Sequence, residues 1–176
     1  MKIIIIIFYI YNYFNTIIIN AEKIKNKHIF RALVHKYNLC ISIKCIKNIR
    51  ELLYFKNFNV KLLILDDAFN ESYFEYFLPN TLKQLLTNST FNQPINTNIF
   101  STSLICLQFG CDFNQKFKIR KNIFPSLTKL KFGHKFNKPI KTLPPSLKYL
   151  EFHNNFDKKI TSFSTNIKFF KIWKFI

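Results

Sequence analysis

The chain has 176 residues, 48% of them hydrophobic, and a formal net charge of +18, enough for one elongated domain with its own core. It contains only two glycines, Gly110 and Gly133, so neither a phosphate-cradling P-loop nor a glycine-rich dinucleotide fingerprint can be written. The four histidines lack H-E-x-x-H spacing and no G-x-S-x-G elbow occurs, which leaves metalloprotease and serine-hydrolase chemistry without a motif.

Residues 1–21 begin with MKIIIIIFYIYNYF, where Lys2 is the only charge before a long apolar run broken by Asn12 and Asn15. One reading is a signal peptide or anchor, with Ala21 at the cleavage position and Ile19 where a small residue is preferred. The other is a non-targeting segment of a cytoplasmic protein, because the bias of the whole chain toward residues of A/T-rich codons makes isoleucine runs by itself. The cytoplasmic reading is taken ahead of a secreted or membrane-anchored one.

Residues 22–59 read as an N-terminal cap, partly helical. Ile24, Ile29, Leu33, Val34 and Tyr37 fall at near-helical spacing with Lys and His between them. After them, Ile49-x-x-Leu52-x-Tyr54 followed by Phe58-Asn59 is a faint half-copy of the repeat that dominates the rest of the chain.

That repeat fills residues 60–176. A first phrase runs Val60-x-x-Leu63-x-Leu65, Leu82-x-x-Leu85-x-Thr87, Leu104-x-x-Leu107-x-Phe109, Leu127-x-x-Leu130-x-Phe132 and Leu147-x-x-Leu150-x-Phe152, with a sixth copy at Ile167-x-x-Phe170-x-Ile172. Four residues after each of the first five comes a second phrase, opening at Phe69, Phe91, Phe113, Phe136 and Phe156, so the coils are about 22 residues long. Before each strand phrase sit an apolar residue (Leu78, Phe100, Ile123, Leu143, Phe163) and a short polar one (Thr81, Ser103, Ser126, Ser146, Asn166), the chemistry of a turn feeding a strand. The last part of each strand phrase alternates with period two, so one short strand per coil is expected to stack on its neighbours in a parallel sheet. The expected fold is mostly β, a solenoid with a short helical N-terminal cap. Each Phe is expected to stack on the Phe of the next coil, and Asn70, Asn92, Asn114, Asn137 and Asp157 to form an internal ladder of side chains bonded to backbone. Thr87, in place of an inward apolar residue, makes its coil look eroded.

Phe91-Asn92-Gln93-Pro94-Ile95 and Phe136-Asn137-Lys138-Pro139-Ile140 resemble the FNIP repeat, and Leu143-Pro144-Pro145-Ser146-Leu147-Lys148-Tyr149-Leu150 is similar to its L-P-x-S-L-K-x-L half. The likeness extends over residues 60–176, with departures at Lys116 and Lys159, where the motif has Pro, and at Asp157, where it has Asn. It implies a leucine-rich-repeat-like solenoid, a protein-binding role by analogy with such solenoids, and no catalytic residues.

Three clusters invite chemistry. Asp66, Asp67, Glu71 and Glu75 hold four of the nine acidic side chains, as a cation site would, but their repeat positions fall in a turn and a solvated loop is preferred. The spacings Cys40-x4-Cys45 and Cys106-x4-Cys111 do not match a zinc finger, although His134 shares its repeat position with Cys111 one coil away. No metal, cofactor or catalytic residue is assigned. Residues 113–176 carry fifteen Lys or Arg against Glu151 and Asp157, a basic stretch that attracts nucleic acid or anionic membrane in one reading and reflects codon bias in the other. Lysine outnumbers arginine 24 to 3, which argues against base and phosphate recognition.

The preferred reading is a non-enzymatic scaffold for an unidentified protein partner, docking on the outward strand positions. Those candidates are Cys106, Gln108, Lys129, Lys131, Tyr149, Glu151, Phe169 and Lys171, preceded by Leu62, Ile64, Gln84 and Leu86. Removing Lys129, Lys131 and Tyr149 is expected to leave folding intact, because none points into the core. The alternatives are a basic-surface binder of nucleic acid or anionic membrane, or a decaying gene copy. Self-association through the C-terminal strand edge is a further expectation.

Overall fold

The computed structural model describes residues 17–21, 24–36, 40–72, 74–97, 100–119, 124–161 and 165–173. Eight parallel strands form one sheet in which each strand pairs with its neighbours in sequence, from β1 to β8. They are β1 (Ile17–Asn20), β2 (Ile41–Ile46), β3 (Val60–Leu65), β4 (Gln84–Leu86), β5 (Cys106–Gln108), β6 (Lys129–Lys131), β7 (Tyr149–Phe152) and β8 (Phe169–Ile172). Helix α1 (Lys27–Lys36) joins β1 to β2, α2 (Ile49–Phe55) joins β2 to β3, and a 3-10 turn (Phe74–Phe77) lies between β3 and β4. Most of the apolar run at the N-terminus, together with the repeat positions Ile123 and Phe163, lies outside the described residues. No helix among the described residues is long and apolar enough to cross a membrane.

The sheet does not start at Val60. β1 and β2 continue it toward the N-terminus: the region 22–59 read as a cap contributes β2 and both helices, β1 comes from the end of the preceding segment, and a cut after Ala21 would strip β1 from the sheet. β2 is irregular: Cys45 has φ 60, a left-handed backbone unusual outside glycine. The irregularity shifts the register so that Ile46 pairs with Leu65 and both bury their side chains, as Ile41 and Ile43 do. The half-copy at residues 49–54 is a helix rather than a strand. Asn48 caps it by accepting from the Glu51 N–H at 3.0 Å, while Glu51 reaches back to accept from the Lys47 N–H at 2.9 Å. An apolar spacing of three serves a helix as well as this repeat, and the cap decides between them.

From β3 onward the coils repeat in space as they do in sequence. Leu63, Leu85, Leu107, Leu130 and Leu150 point inward and are completely buried. Behind them runs a column of phenylalanines, Phe69, Phe91, Phe113, Phe136 and Phe156, with centroids 6.5, 6.2, 6.0 and 6.1 Å apart. A second column, Phe109, Phe132 and Phe152, stacks at 5.4 and 5.2 Å. Within each of these three coils the two rings lie face to face at 3.9 Å, which makes a grid of six rings.

Two polar ladders tie coil to coil. The Oδ1 of Asn70, Asn92, Asn114 and Asn137 accepts from the backbone N–H of Asn92, Asn114, Asn137 and Asp157 in turn, at 3.0, 2.9, 2.9 and 3.1 Å. These side chains are half-buried or exposed, so the ladder runs along the rim of the solenoid and not through its interior. The short polar residue before each strand forms the other ladder: Thr81, Ser103 and Ser146 donate to the carbonyls of Val60, Leu82 and Leu127 at 3.1, 2.8 and 2.8 Å.

The corner between strand and Phe-Asn phrase explains both glycines. A Cβ at Gly110 would lie 1.7 Å from the Asn88 carbonyl oxygen, and one at Gly133 1.9 Å from the Gly110 oxygen, so the stacked corners touch backbone to backbone. One coil earlier, Asn88 accepts from the Phe91 N–H at 2.7 Å and donates to the carbonyls of Asp66 and Phe69. Thr87 is not eroded in this setting: it is buried, and its hydroxyl accepts from the Gly110 N–H at 3.0 Å.

Gly133→Ala is therefore expected to destabilise the fold by about 2 to 3 kcal/mol in a urea melt, because backbone, unlike a side chain, has no other rotamer to relieve the clash. Asn114→Ala should lose about 1 kcal/mol, since water can reach the freed Asn137 N–H, whereas Lys138→Ala stays within about 0.5 kcal/mol. Equal effects of the last two would show that the rim ladder contributes nothing.

Candidate functional site

The pleat that buries the inward leucines turns the residues on either side of them outward. In-register pairing sets these in two lanes across the sheet. One holds Leu62, Gln84, Cys106, Lys129, Tyr149 and Phe169; the other holds Ile64, Leu86, Gln108, Lys131, Glu151 and Lys171. Every outward residue expected from sequence falls in one of them. A third line, Lys61, Lys83, Ile105, Thr128, Lys148 and Lys168, runs beside the first lane and is linked by N–H to carbonyl bonds from coil to coil. Because strands bring equivalent positions into neighbouring places, the character of the face changes along the array. It is apolar at Leu62, Ile64 and Leu86, and basic and aromatic from Lys129 onward.

Glu151 is the centre of the basic end and is only 7% exposed. One oxygen accepts from the Tyr149 hydroxyl and pairs with the Lys131 ammonium at 3.0 Å; the other accepts from the Trp173 indole N–H at 2.9 Å. Burial alone would push its carboxyl up, but the hydrogen bonds from Tyr149, Trp173 and Lys131 and the Lys131 charge prevail and hold it at about 2. The same contacts raise Tyr149, chiefly because its proton is held against Glu151. Burial disfavours the Lys131 charge, yet bonding to Glu151 outweighs it and raises Lys131 too. Tyr149 and Lys131 are therefore partners of a buried carboxylate, and removing them strands it. The expectation that both are free of any scaffold role does not fit this geometry.

Rings and cations extend the cluster. Tyr149 and Phe169 stack at 4.4 Å and 6°, the Lys129 ammonium lies 5.0 Å from the Tyr149 centroid, and that of Lys171 lies 3.0 Å from Trp173. His153 stacks between His134 at 4.9 Å and Trp173 at 6.1 Å, and burial followed by the His134 charge depresses its pKa. Trp173 escaped the sequence reading because it lies one residue past the last strand phrase. That it is the single tryptophan was the available signal.

The other clusters dissolve into structural roles. Asp66 and Asp67 accept from the N–H groups of Ala68 and Ser89, Glu71 from Ile49 and Glu75 from Asn96, so the four carboxylates face four different backbone amides, and Glu75 is buried rather than part of a solvated loop. Cys111 is exposed and His134 stacks on His153; among the described residues no three His, Cys, Asp or Glu side chains converge as a metal site. Burial pushes the Cys106 thiol up, partly offset by Lys129 and Lys131, which makes it a poor nucleophile.

Residues 91–135 and 136–164 match the family description FNIP Repeat. Residues 91–164 carry FNIP repeats. A solved structure described as "CroV588 a novel circular LRR protein structure" is 34% identical, with a TM-score of 0.59 over 76% of this chain and 20% of that one. The chain thus spans about a fifth of that protein's length, and the likeness places the FNIP repeats in a leucine-rich-repeat-like solenoid. No curated protein matches the chain. The in-register lanes and the phenylalanine columns are how FNIP repeats build that solenoid here.

Because Glu151 is held at about 2 in the folded state against an ordinary 4.5, its contribution to stability is present above pH 4.5 and is lost as pH falls toward 2. Glu151→Gln should flatten the stability profile across that interval, as measured by urea melts at stepped pH. An unchanged slope would mean that the three contacts do not hold the carboxylate.

Proposed function

We propose that this FNIP-repeat solenoid is a non-enzymatic interaction scaffold and that a partner protein docks on the outward face of β3–β8. The observation that supports this most directly is the division of labour along the coils. The inward position of Leu63, Leu85, Leu107, Leu130 and Leu150 keeps one residue type, while the outward lanes change from Leu62 and Ile64 through Gln84 and Gln108 to Lys129 and Tyr149. A uniform outer surface would suit a filament. A changing one suits recognition of a particular partner, and Tyr149, an aromatic held among lysines, is the kind of anchor that interface hot spots favour. Leucine-rich-repeat-like folds support the same coarse role.

Photo-crosslinking tests the face. Benzoylphenylalanine in place of Gln84, on the outward lane, should yield a discrete adduct in source-cell extract, and in place of Lys138, on the Phe-Asn corner, none. Lys129→Ala with Lys148→Ala removes no group bonded to Glu151 and keeps the Tyr149–Phe169 stack; it should abolish the adduct with little change in the melting transition. Adducts from the Lys138 position alone would place the docking surface elsewhere.

A further inference from the structure

We infer that the partner presents an extended segment with an apolar half and an acidic half, lying across the strands with its carboxylates over the β6–β8 end. This rests on the outward face being the docking surface. Five lysines, Lys129, Lys131, Lys148, Lys168 and Lys171, line or flank the three last coils of that face. The single carboxylate of the two lanes is Glu151, which is already paired with Lys131 and bonded by Tyr149 and Trp173; Asp66 and Asp67 stand beside the lanes at the β3 end. Four ammonium groups thus share the surface with no counter-charge of their own. Lys148 and Lys168 immediately precede β7 and β8 and are joined by an N–H to carbonyl bond of 2.9 Å, so two like charges are held one coil apart, an arrangement that an anion would relieve.

Carboxylates fit this surface better than the phosphates of a nucleic acid. Bases bind single-strand platforms by stacking on successive open ring faces, and here Tyr149 and Trp173 each have both faces occupied, which leaves Phe169 as the exposed ring of the lanes. Tyr149 lies between Phe169 at 4.4 Å and the Lys129 ammonium at 5.0 Å, and Trp173 between Lys171 at 3.0 Å and His153 at 6.1 Å. No arginine stands among the lane residues to fork onto a phosphate. At the other end of the same lanes, Leu62, Ile64 and Leu86, with Lys61 and Lys83 beside them in the third line, offer apolar contacts that a polynucleotide cannot use and a peptide can. From β3 to β8 there are five strand spacings of ~4.8 Å, or ~24 Å. That is the length of about seven extended residues.

The probe is a fluorescent synthetic peptide of about eight residues, half Leu and Ile and half Glu, titrated into the full chain and read by anisotropy. Controls are the same peptide with Gln for Glu, an oligouridylate of equal length, and phosphatidylserine vesicles. The Glu probe should bind, should weaken between about 50 and about 300 mM salt, and should bind about tenfold better than its Gln version. Lys129→Glu with Lys148→Glu and Lys168→Glu should weaken it about tenfold, whereas Lys116→Glu with Lys138→Glu and Lys159→Glu, an equal charge change off the face, should not. If the first variant fails to melt cooperatively, Lys148→Gln with Lys168→Gln replaces it, with the same order of affinities and a smaller loss.

Equal loss in both reversal variants, or displacement of the probe by oligouridylate or vesicles at lower concentration, overturns the inference in favour of a general basic surface. Adducts at Gln84 together with no binding of the Glu probe overturn the acidic partner and leave the docking face standing. Adducts confined to the Lys138 position remove both.

Discussion

A strand of three residues cannot bury its own apolar face, so no coil of this protein is stable except against the next one. Everything else in the structure follows from how closely the coils must approach. Backbone meets backbone at the corners, where Gly110 and Gly133 leave no room for a Cβ. The strands stay in register from β3 to β8, which sets Phe113 over Phe136 at 6.0 Å with ring planes 4° apart. Close approach would also bury backbone groups at the turns, and the Asn rim ladder accepts from their N–H groups while the Thr and Ser ladder donates to their carbonyls. The phenylalanine columns fill the width that these contacts define.

A register held this tightly has a consequence for the outer surface. Since the inward leucines and phenylalanines perform the packing, side chains on the other side of the pleat are free to differ from coil to coil, and they do. The freedom is incomplete at β7, where Glu151 on the outward lane is buried beneath Tyr149, Lys131 and Trp173. There the surface has a small polar core of its own, in which three different coils each supply a donor. It holds Tyr149 and Trp173 in fixed orientation, and rigid aromatics bind at lower entropic cost than mobile ones.

The same cluster sorts the lysines. Lys131 is committed to Glu151, while Lys129 and Lys171 sit over rings, where the quadrupole attracts their charge without neutralising it. Lys148 and Lys168 lie beside them, and among the described residues neither makes an ion pair. A net charge of +18 that appears as compositional bias in the sequence becomes, at this end of the sheet, a defined arrangement of cations around a neutralised centre.

Much of this was legible before any coordinates, because a period near 22 combined with a period of two determines which residues share a lane. Val60, Leu63 and Leu65 announce a strand, and their five later copies determine its neighbours, its inward leucines and its outward candidates. What one period cannot express is contact between coils. The residues at 49–54 carry the repeat's spacing yet form a helix, since the Asn48 cap acts locally and the spacing alone does not choose. Thr87 reads as a defect until Gly110 donates to its hydroxyl, and Glu151 reads as an exposed charge until Lys131 and Trp173, one coil to either side, close over it. The sequence by itself determined the solenoid and the membership of its faces, because those depend on periodicity within one chain. Only the tertiary structure decided the rim position of the Asn ladder, the need for glycine at the corners and the buried carboxylate of the basic end, because each depends on how near one coil comes to the next.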